Sequence, residues 1–383
     1  MRPERNLIIS AIVFLLLCLL CPLSLAETDA PVKVIVDCDM GYMNDDALAL
    51  SMLLKAQERG LVEIIGITLE GGNVFIDAPY ENYGETQYGS AKYIRDFLAA
   101  LNETSIPCIR GTDFPDGFGR ENLRQLDEFY NKLHYIKDND GYGAIHFFTA
   151  VHPELFCDSN EAADFLIEAV RKYPDEVVIF AIGPTMNIAR AVRMDVGFAS
   201  RVKSIYYMGG AFGEVCMMED LFDTPVEGIQ GANVTPVTEY NVLYDPVSFE
   251  ACITAQFPVQ YILPGSCNVG IDQSVADQMI LYCRCEGISA LWENYYKTNI
   301  QDYPYWDPLT VYAFLCPDAI EKSFRGYVAV NTDRSSDNFG RTGCYSADEY
   351  ELLPPEEQAR CGAATVIYET SGFWDFTIDL LCD

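Results

Sequence analysis

Residues 32–54 read VKVIVDCDMGYMNDDALALSMLL, and this stretch limits the fold more than any other. Val32, Val34, Ile35 and Val36 form an apolar run of the kind buried on both faces of a parallel sheet. The run ends in acid at Asp37 and Asp39. A turn through Met40–Asn44 follows, and then Asp45 and Asp46 open an apolar helical run capped by Asn44 or Asp45. In an open α/β sheet, ligands bind in the crevice outside the carboxyl ends of the strands. Four carboxylates within ten residues at such an edge repel one another unless they are solvated, cap N–H groups or share a cation. As a plain solvated cluster they would do nothing more than cap and fill a loop. As a site they suit a hard cation, Ca²⁺ or Mg²⁺, and not Zn²⁺.

Strand-like and helix-like runs alternate down the chain. Strands are expected at Val62–Leu69, Ile106–Arg110, Val177–Ile182, Val202–Met208, Pro258–Leu263, Gly326–Asn331 and Ala363–Glu369. Helices are expected near Gly89–Leu101, Asn122–Leu133, Asn160–Tyr173, from Ile188, over Ser274–Lys297 and over Phe373–Leu381. This alternation predicts one α/β domain over residues 27–383, with a mostly parallel, Rossmann-like open sheet flanked by helices. Thr112–Pro153 is an irregular stretch of the length often given to functional loops, and it holds all three histidines, His134, His146 and His152.

Ahead of the domain, residues 1–26 carry the marks of a secretory signal: Arg2 and Arg5, an apolar run from Leu7 to Leu20, and Ser24-Leu25-Ala26 as a cleavage site. That predicts a secreted protein or one held in the lumen of the secretory pathway, with no membrane span once the signal is removed. Cys316, Cys344, Cys361 and Cys382 are then expected to take part in disulfides, and Asn102-Glu103-Thr104 is a glycosylation acceptor. The formal net charge of −32 disfavours nucleic acid and anionic lipid as partners.

Further motifs follow in order: Gly72-Asn73 after the second strand, GPTMNIARAV at 183–192, Met208 to Ala211 as MGGA, ANVTPVTEYN at 232–241, and Trp306-Asp307-Pro308. With DCDMGYMNDD at 37–46, this ordered set resembles the inosine-uridine nucleoside hydrolase family. The resemblance runs from about Lys33 to the end of the chain. It implies a Ca²⁺-dependent enzyme that cuts the N-glycosidic bond of nucleosides. By position, Asp39 would be the general base. Asp39, Asp46, Asp307 and the main-chain carbonyl of Met186 would hold the ion. Asp45, Asn73, Asn233, Glu239 and Asn241 would grip the sugar, with a place beside the ion also open to Asp45 and with Asp37 behind them. As a sugar ligand Asn233 would be left unglycosylated, although Asn233-Val234-Thr235 fits the acceptor pattern.

Two departures stand out. Two extra residues separate Asp39 from the Asp45–Asp46 pair, which leaves the division of labour within that pair open. Trp306 stands where family members of broad or uridine preference carry a histidine, and purine-specific members carry tryptophan there. The resemblance therefore implies a purine nucleosidase in which Trp306 stacks on the base, with Phe114, Phe118 and Tyr296 as candidate second rings. Packing of Trp306 in the core is the plainer alternative for that residue. A uridine-preferring or broad nucleosidase, or a non-catalytic secreted protein that binds Ca²⁺ or nucleosides, are the alternative functions. An aspartyl-phosphatase fits least, because the sugar-gripping set would go unexplained. A homo-oligomer is expected from the family habit.

Overall fold

The computed structural model describes residues 30–41, 45–82, 85–130, 152–212, 238–270, 275, 304–336 and 338–382. Residues 1–26, Asn44, His134, His146, Asn233, Tyr296 and nearly all of the helix expected over Ser274–Lys297 lie outside the described residues.

Among the described residues, the apolar runs become a nine-stranded sheet whose order, by the strand ranges given next, is β10-β9-β11-β8-β7-β6-β1-β2-β5. The strands are β1 (Val32–Cys38), β2 (Val62–Leu69), β5 (Cys108–Arg110), β6 (Val177–Ala181), β7 (Ser204–Met208), β8 (Gln260–Leu263), β9 (Ile320–Val330), β10 (Thr342–Tyr345) and β11 (Gly362–Thr370). A separate two-stranded ribbon pairs β3 (Tyr80–Asn82) with β4 (Glu85–Gln87). The neighbours from β5 through β11 pair in parallel; β9 runs antiparallel to β11, and β10 antiparallel to β9.

Helices cover the sheet: α1 (Asp45–Glu58), α2 (Ser90–Ala100), α3 (Leu123–Tyr130), α4 (Glu161–Lys172), α5 (Met186–Met194), α6 (Tyr240–Tyr244), α7 (Pro246–Ile253), α8 (Asp307–Leu315), the short α9 (Ala347–Tyr350) and α10 (Pro355–Gln358), and α11 (Phe373–Cys382). None of the helices among the described residues is long and apolar enough to cross a membrane. The α1 sequence is apolar almost all round, and residues 45–54 are all buried, as expected of a helix enclosed by protein on every side. It shares one core cluster with α8 and α11.

The chain order explains where the site must be. From β1 it moves out through β2 to β5, then returns to β6 on the other side of β1 and moves out through β7 and β8. The direction reverses between β1 and β6, and the crevice opens at that switch point. Strand register brings the acids together there. Asp37 lies opposite Thr68 on β2 and Ala181 on β6, and Cys38 lies opposite Leu69, so Asp39 and Glu70 emerge side by side.

Two expectations are corrected. Cys316, Cys361 and Cys382 are not in disulfides, and neither are Cys38, Cys108, Cys157, Cys252 and Cys267. Cys382 is buried in α11 and Cys316 is buried at the residue that ends α8, instead of lying in the irregular tail read from sequence. Of the four late cysteines only Cys344, in β10, is disulfide-bonded. The strand expected from Gly326 begins six residues earlier, at Ile320. Its polar first half is mostly exposed, and antiparallel pairing to β11 holds it.

Candidate active site

Seven acids at this edge are almost wholly buried: Asp37, Asp39, Asp45, Asp46, Glu70, Glu239 and Asp307 are each at most 6% exposed. Burial favours the neutral form of a carboxyl, and several of these groups also face one another. Burial lifts Asp37, Asp39 and Glu239 to about 7, and at Asp39 the neighbouring Asp45 and Glu239 add to it. Asp307 is pushed well above the ordinary carboxylate range by burial and then by Asp45, Asp46, Asp39 and Glu239. A cluster that costs this much to ionise calls for a cation in its working state.

Asp39 is held from one side by a single residue. The Asn73 main-chain N–H donates to Asp39 Oδ2 at 2.6 Å, and the Asn73 side-chain amide donates to Oδ1 at 3.2 Å. Asn73 itself is exposed at the crevice, above a carboxylate with no exposure. Gly72 allows this approach: a Cβ there would lie 1.9 Å from Asp39 Oδ2. Gly72→Ala is therefore expected to push the Asp39 carboxylate out of place and lower kcat by about 100-fold, the scale of a misplaced catalytic group. A circular-dichroism melt would show the fold retained, and a kcat within threefold of wild type would refute the contact.

Among the described residues, the three acids whose oxygens converge are Asp45, Asp46 and Asp307. One carboxylate oxygen from each lies within 4.8 Å of the others. Asp45 and Asp46 open α1, and Asp307 opens α8, so two helix N-termini meet there. A positive helix end favours an acid in its first turn. Asp45 also links the two helices, since its Oδ2 accepts from the N–H of Trp306 at 3.0 Å and of Asp307 at 3.3 Å. The resemblance implies a sugar contact for Asp45 together with a place beside the ion, and its carboxylate stands with those of Asp46 and Asp307.

Glu239 and Asn241 are both in the crevice wall, although backbone takes much of their bonding capacity. Glu239 accepts from the N–H groups of Gly210, Asn241 and Val242 and caps α6. The Asn241 amide donates to the carbonyls of Ile182 and Met208 and so ties the ends of β6 and β7. Met186 opens α5, with its N–H donated to Glu70 at 3.0 Å and its side chain packed with Phe75, Phe114, Phe156 and Tyr244. Trp306 is 7% exposed in the main core cluster, and its indole N–H donates to the Gly265 carbonyl at 2.8 Å. Of the candidate second rings, Phe114 is buried and Phe118 lies under the Arg334 guanidinium. His152 is exposed and bonded to Glu154.

Sequence reasoning missed Glu70 and Asn187. The Asn187 amide donates to Asp37 Oδ1 at 2.9 Å and to the Leu69 carbonyl at 3.0 Å. The only signal for Glu70 was its position, an acid one residue beyond an apolar strand whose register matches β1.

Similarity to known proteins agrees with this geometry. The chain is 26% identical to uridine nucleosidase 1 of Arabidopsis thaliana over 311 residues, covering 78% of each. It is 24% identical to the pyrimidine-specific ribonucleoside hydrolase RihB of Escherichia coli over 363 residues, covering 89% of this chain and 94% of that one. Among solved structures, an inosine-guanosine nucleoside hydrolase superposes with a TM-score of 0.61 at 20% identity, covering 91% of this chain and 98% of that chain. A purine-preferring ribonucleoside hydrolase from Gardnerella vaginalis does so at 0.60 and 18% identity, covering 91% and 98%. The family model described as inosine-uridine preferring nucleoside hydrolase matches residues 34–375. That match runs from β1 into α11 and takes in every acid of the crevice, and the chain belongs to this family of N-glycosyl hydrolases.

Proposed function

We propose that the protein is a secreted, Ca²⁺-dependent ribonucleoside hydrolase that releases a purine base and ribose. The observation that carries this reading is the convergence of Asp45, Asp46 and Asp307 beside an Asp39 carboxylate held by Asn73. The converging donors are all carboxylate oxygens, which fits Ca²⁺ and does not fit zinc. Asp45, Asp46 and Asp307 would hold the ion, with Asp39 and the Met186 carbonyl beside them. When bound, the ion lowers the pKa of water and offsets the clustered negative charge.

The residues of the chain do the rest. Asp39 takes the proton from the attacking water, a role open to a carboxylate held in place by the Asn73 N–H groups. Asn73 keeps the Asp39 oxygens in place while its exposed face meets the ribose. Glu239 and Asn241 line the sugar and stabilise the positive charge that grows on it, as in glycoside cleavage through an oxocarbenium-like state. With no second carboxylate assigned as nucleophile, the reaction is a single displacement with inversion. Trp306 supports the purine choice, since stacking on an indole would ease departure of the base. The leader at residues 1–26 supports secretion.

A second reading, uridine or broad preference, draws on the depth of Trp306 in the core and on the names of the curated relatives. A panel of inosine, guanosine, adenosine and uridine, followed by release of free base, separates the two. The purine reading expects turnover on the first three to exceed uridine by at least about tenfold, and Trp306→Phe to narrow that gap by about 1 kcal/mol, the worth of an aromatic contact. Preferred cleavage of uridine would overturn the purine assignment. Absence of release from any nucleoside by folded, Ca²⁺-loaded protein would leave a binding protein.

A further inference from the structure

The N-terminus of α5 has no cap of its own. Thr185 is at the capping position, and its side chain makes no capping hydrogen bond. The first N–H groups of a helix need acceptors, and buried ones left bare are costly. Here the acceptor comes from another strand. Glu70 Oε2 accepts from Met186 N–H at 3.0 Å and from Asn187 N–H at 3.4 Å. Glu70 is itself fixed to the strand that carries the general base, because its main-chain N–H donates to the Cys38 carbonyl at 3.1 Å.

A second tie runs in parallel. The Asn187 side chain reaches Asp37 Oδ1, and Thr68 donates to the same oxygen at 2.5 Å. Gly183 lets the three segments close: a Cβ there would be 3.0 Å from the Asp39 nitrogen and 3.1 Å from Glu70 Oε1. Glu70 is wholly buried, so it meets neither solvent nor substrate. An isolated acid would be an expensive way to fill that space, and Val or Leu would fill it without the cost of a buried charge.

The geometry points to Glu70 as a positioning residue for the metal and base: through the N–H groups of Met186 and Asn187 it sets where the Gly183–Met186 turn stands against Asp39. The inference rests on the hydrolase reading for its consequence in catalysis. Its mechanical part, where the Met186 carbonyl would stand toward a bound cation, does not depend on which nucleoside is cut. Partners behind metal ligands are worth about 10–100-fold in metal affinity or activity when removed.

The test uses the full chain with Glu70→Ala and Glu70→Gln, measuring Ca²⁺ affinity by competition with a chromophoric chelator, kcat and KM by free-base release, and Tm. Glu70→Ala is expected to weaken Ca²⁺ binding by about 10–100-fold and to lower kcat more than it changes KM. Glu70→Gln keeps an oxygen for the two N–H donors and is expected to stay within about threefold of wild type. A lower Tm with unchanged Ca²⁺ affinity and kcat in Glu70→Ala would make the residue merely structural and overturn the inference. Equal losses in both variants would overturn it as well. Should Glu70→Ala fail to fold, Glu70→Asp takes its place: it is one methylene short of the Met186 N–H, and unchanged Ca²⁺ affinity in it refutes the positioning role. If wild type binds Ca²⁺ but cleaves no nucleoside, the hydrolase reading falls while the affinity comparison still decides the role of Glu70.

Discussion

Asp39→Asn is expected to lower kcat by about 10²–10⁴-fold while leaving KM within a few-fold, the signature of losing a group that acts on a proton in the transition state. The site makes this substitution unusually clean. Asn fills the volume of Asp, so the close approach of Gly72 is undisturbed. One oxygen remains to accept the Asn73 main-chain N–H, which is now 2.6 Å from Oδ2, and the Asn73 amide can turn over to meet the new NH₂. The lost property is the ability to take a proton. Removing one buried acid from a mutually repelling set also relieves the fold, so the chelated variant should melt no lower than chelated wild type. Free-base release on the best nucleoside, together with a thermal melt, checks both halves. A variant retaining more than about a tenth of wild-type kcat would remove Asp39 from the role of base.

The sequence revealed the sheet well because each parallel strand is a continuous apolar run bounded by turn residues, and β2 was placed residue for residue. It revealed the acids because the crevice collects what lies just past strand ends, which can be read from strand boundaries alone. Three parts were harder to see, each for a physical reason. The first half of β9 is polar because it projects past the core, so no apolar pattern marks it. Glu70 and Asn187 act on backbone and on one another across strands, and a bond between residues 70 and 187 has no local trace. The partition between Asp45 and Asp46 depends on how α8 meets α1. Asp45 proved to be the residue that accepts the α8 N–H groups, a contact spanning 261 positions in sequence. Asn233, the remaining sugar ligand implied by the family motif, falls outside the described residues.

The metal-free protein should lose stability as pH rises, and Ca²⁺ should reverse the trend. Asp37, Asp39, Asp113 and Glu239 each stand at about 7 in the folded chain, against 3.8 for an ordinary Asp and 4.5 for Glu, chiefly through burial. Asp45, Glu70 and Asp307 shift in the same direction. Between those limits the folded state holds more protons than the unfolded one, so folding is favoured at low pH and disfavoured as pH climbs through 7. The stabilising contribution is whole below about 4 and gone above about 7. Asp113 lies outside the cation cluster, its oxygens taken by the N–H groups of Ile76 and Cys157, and its shift alone is on the order of 4 kcal/mol. In chelator, Tm should therefore fall by roughly 5–10 °C between pH 5.5 and pH 8. On the proposed reading Ca²⁺ would bind the ionised carboxylates, so its affinity should rise over the same interval. At a thousand times its Kd it adds about 4 kcal/mol to the folded state. The Ca²⁺-induced rise in Tm should then be several-fold larger at pH 8 than at pH 5.5, and Asp307→Asn should abolish most of it while raising the chelated Tm at pH 8. Scanning calorimetry at the two pH values, with and without Ca²⁺, measures all four quantities. A chelated Tm that climbs with pH, or an equal Ca²⁺ shift at both values, would show that these acids are not the ones neutralised by the ion.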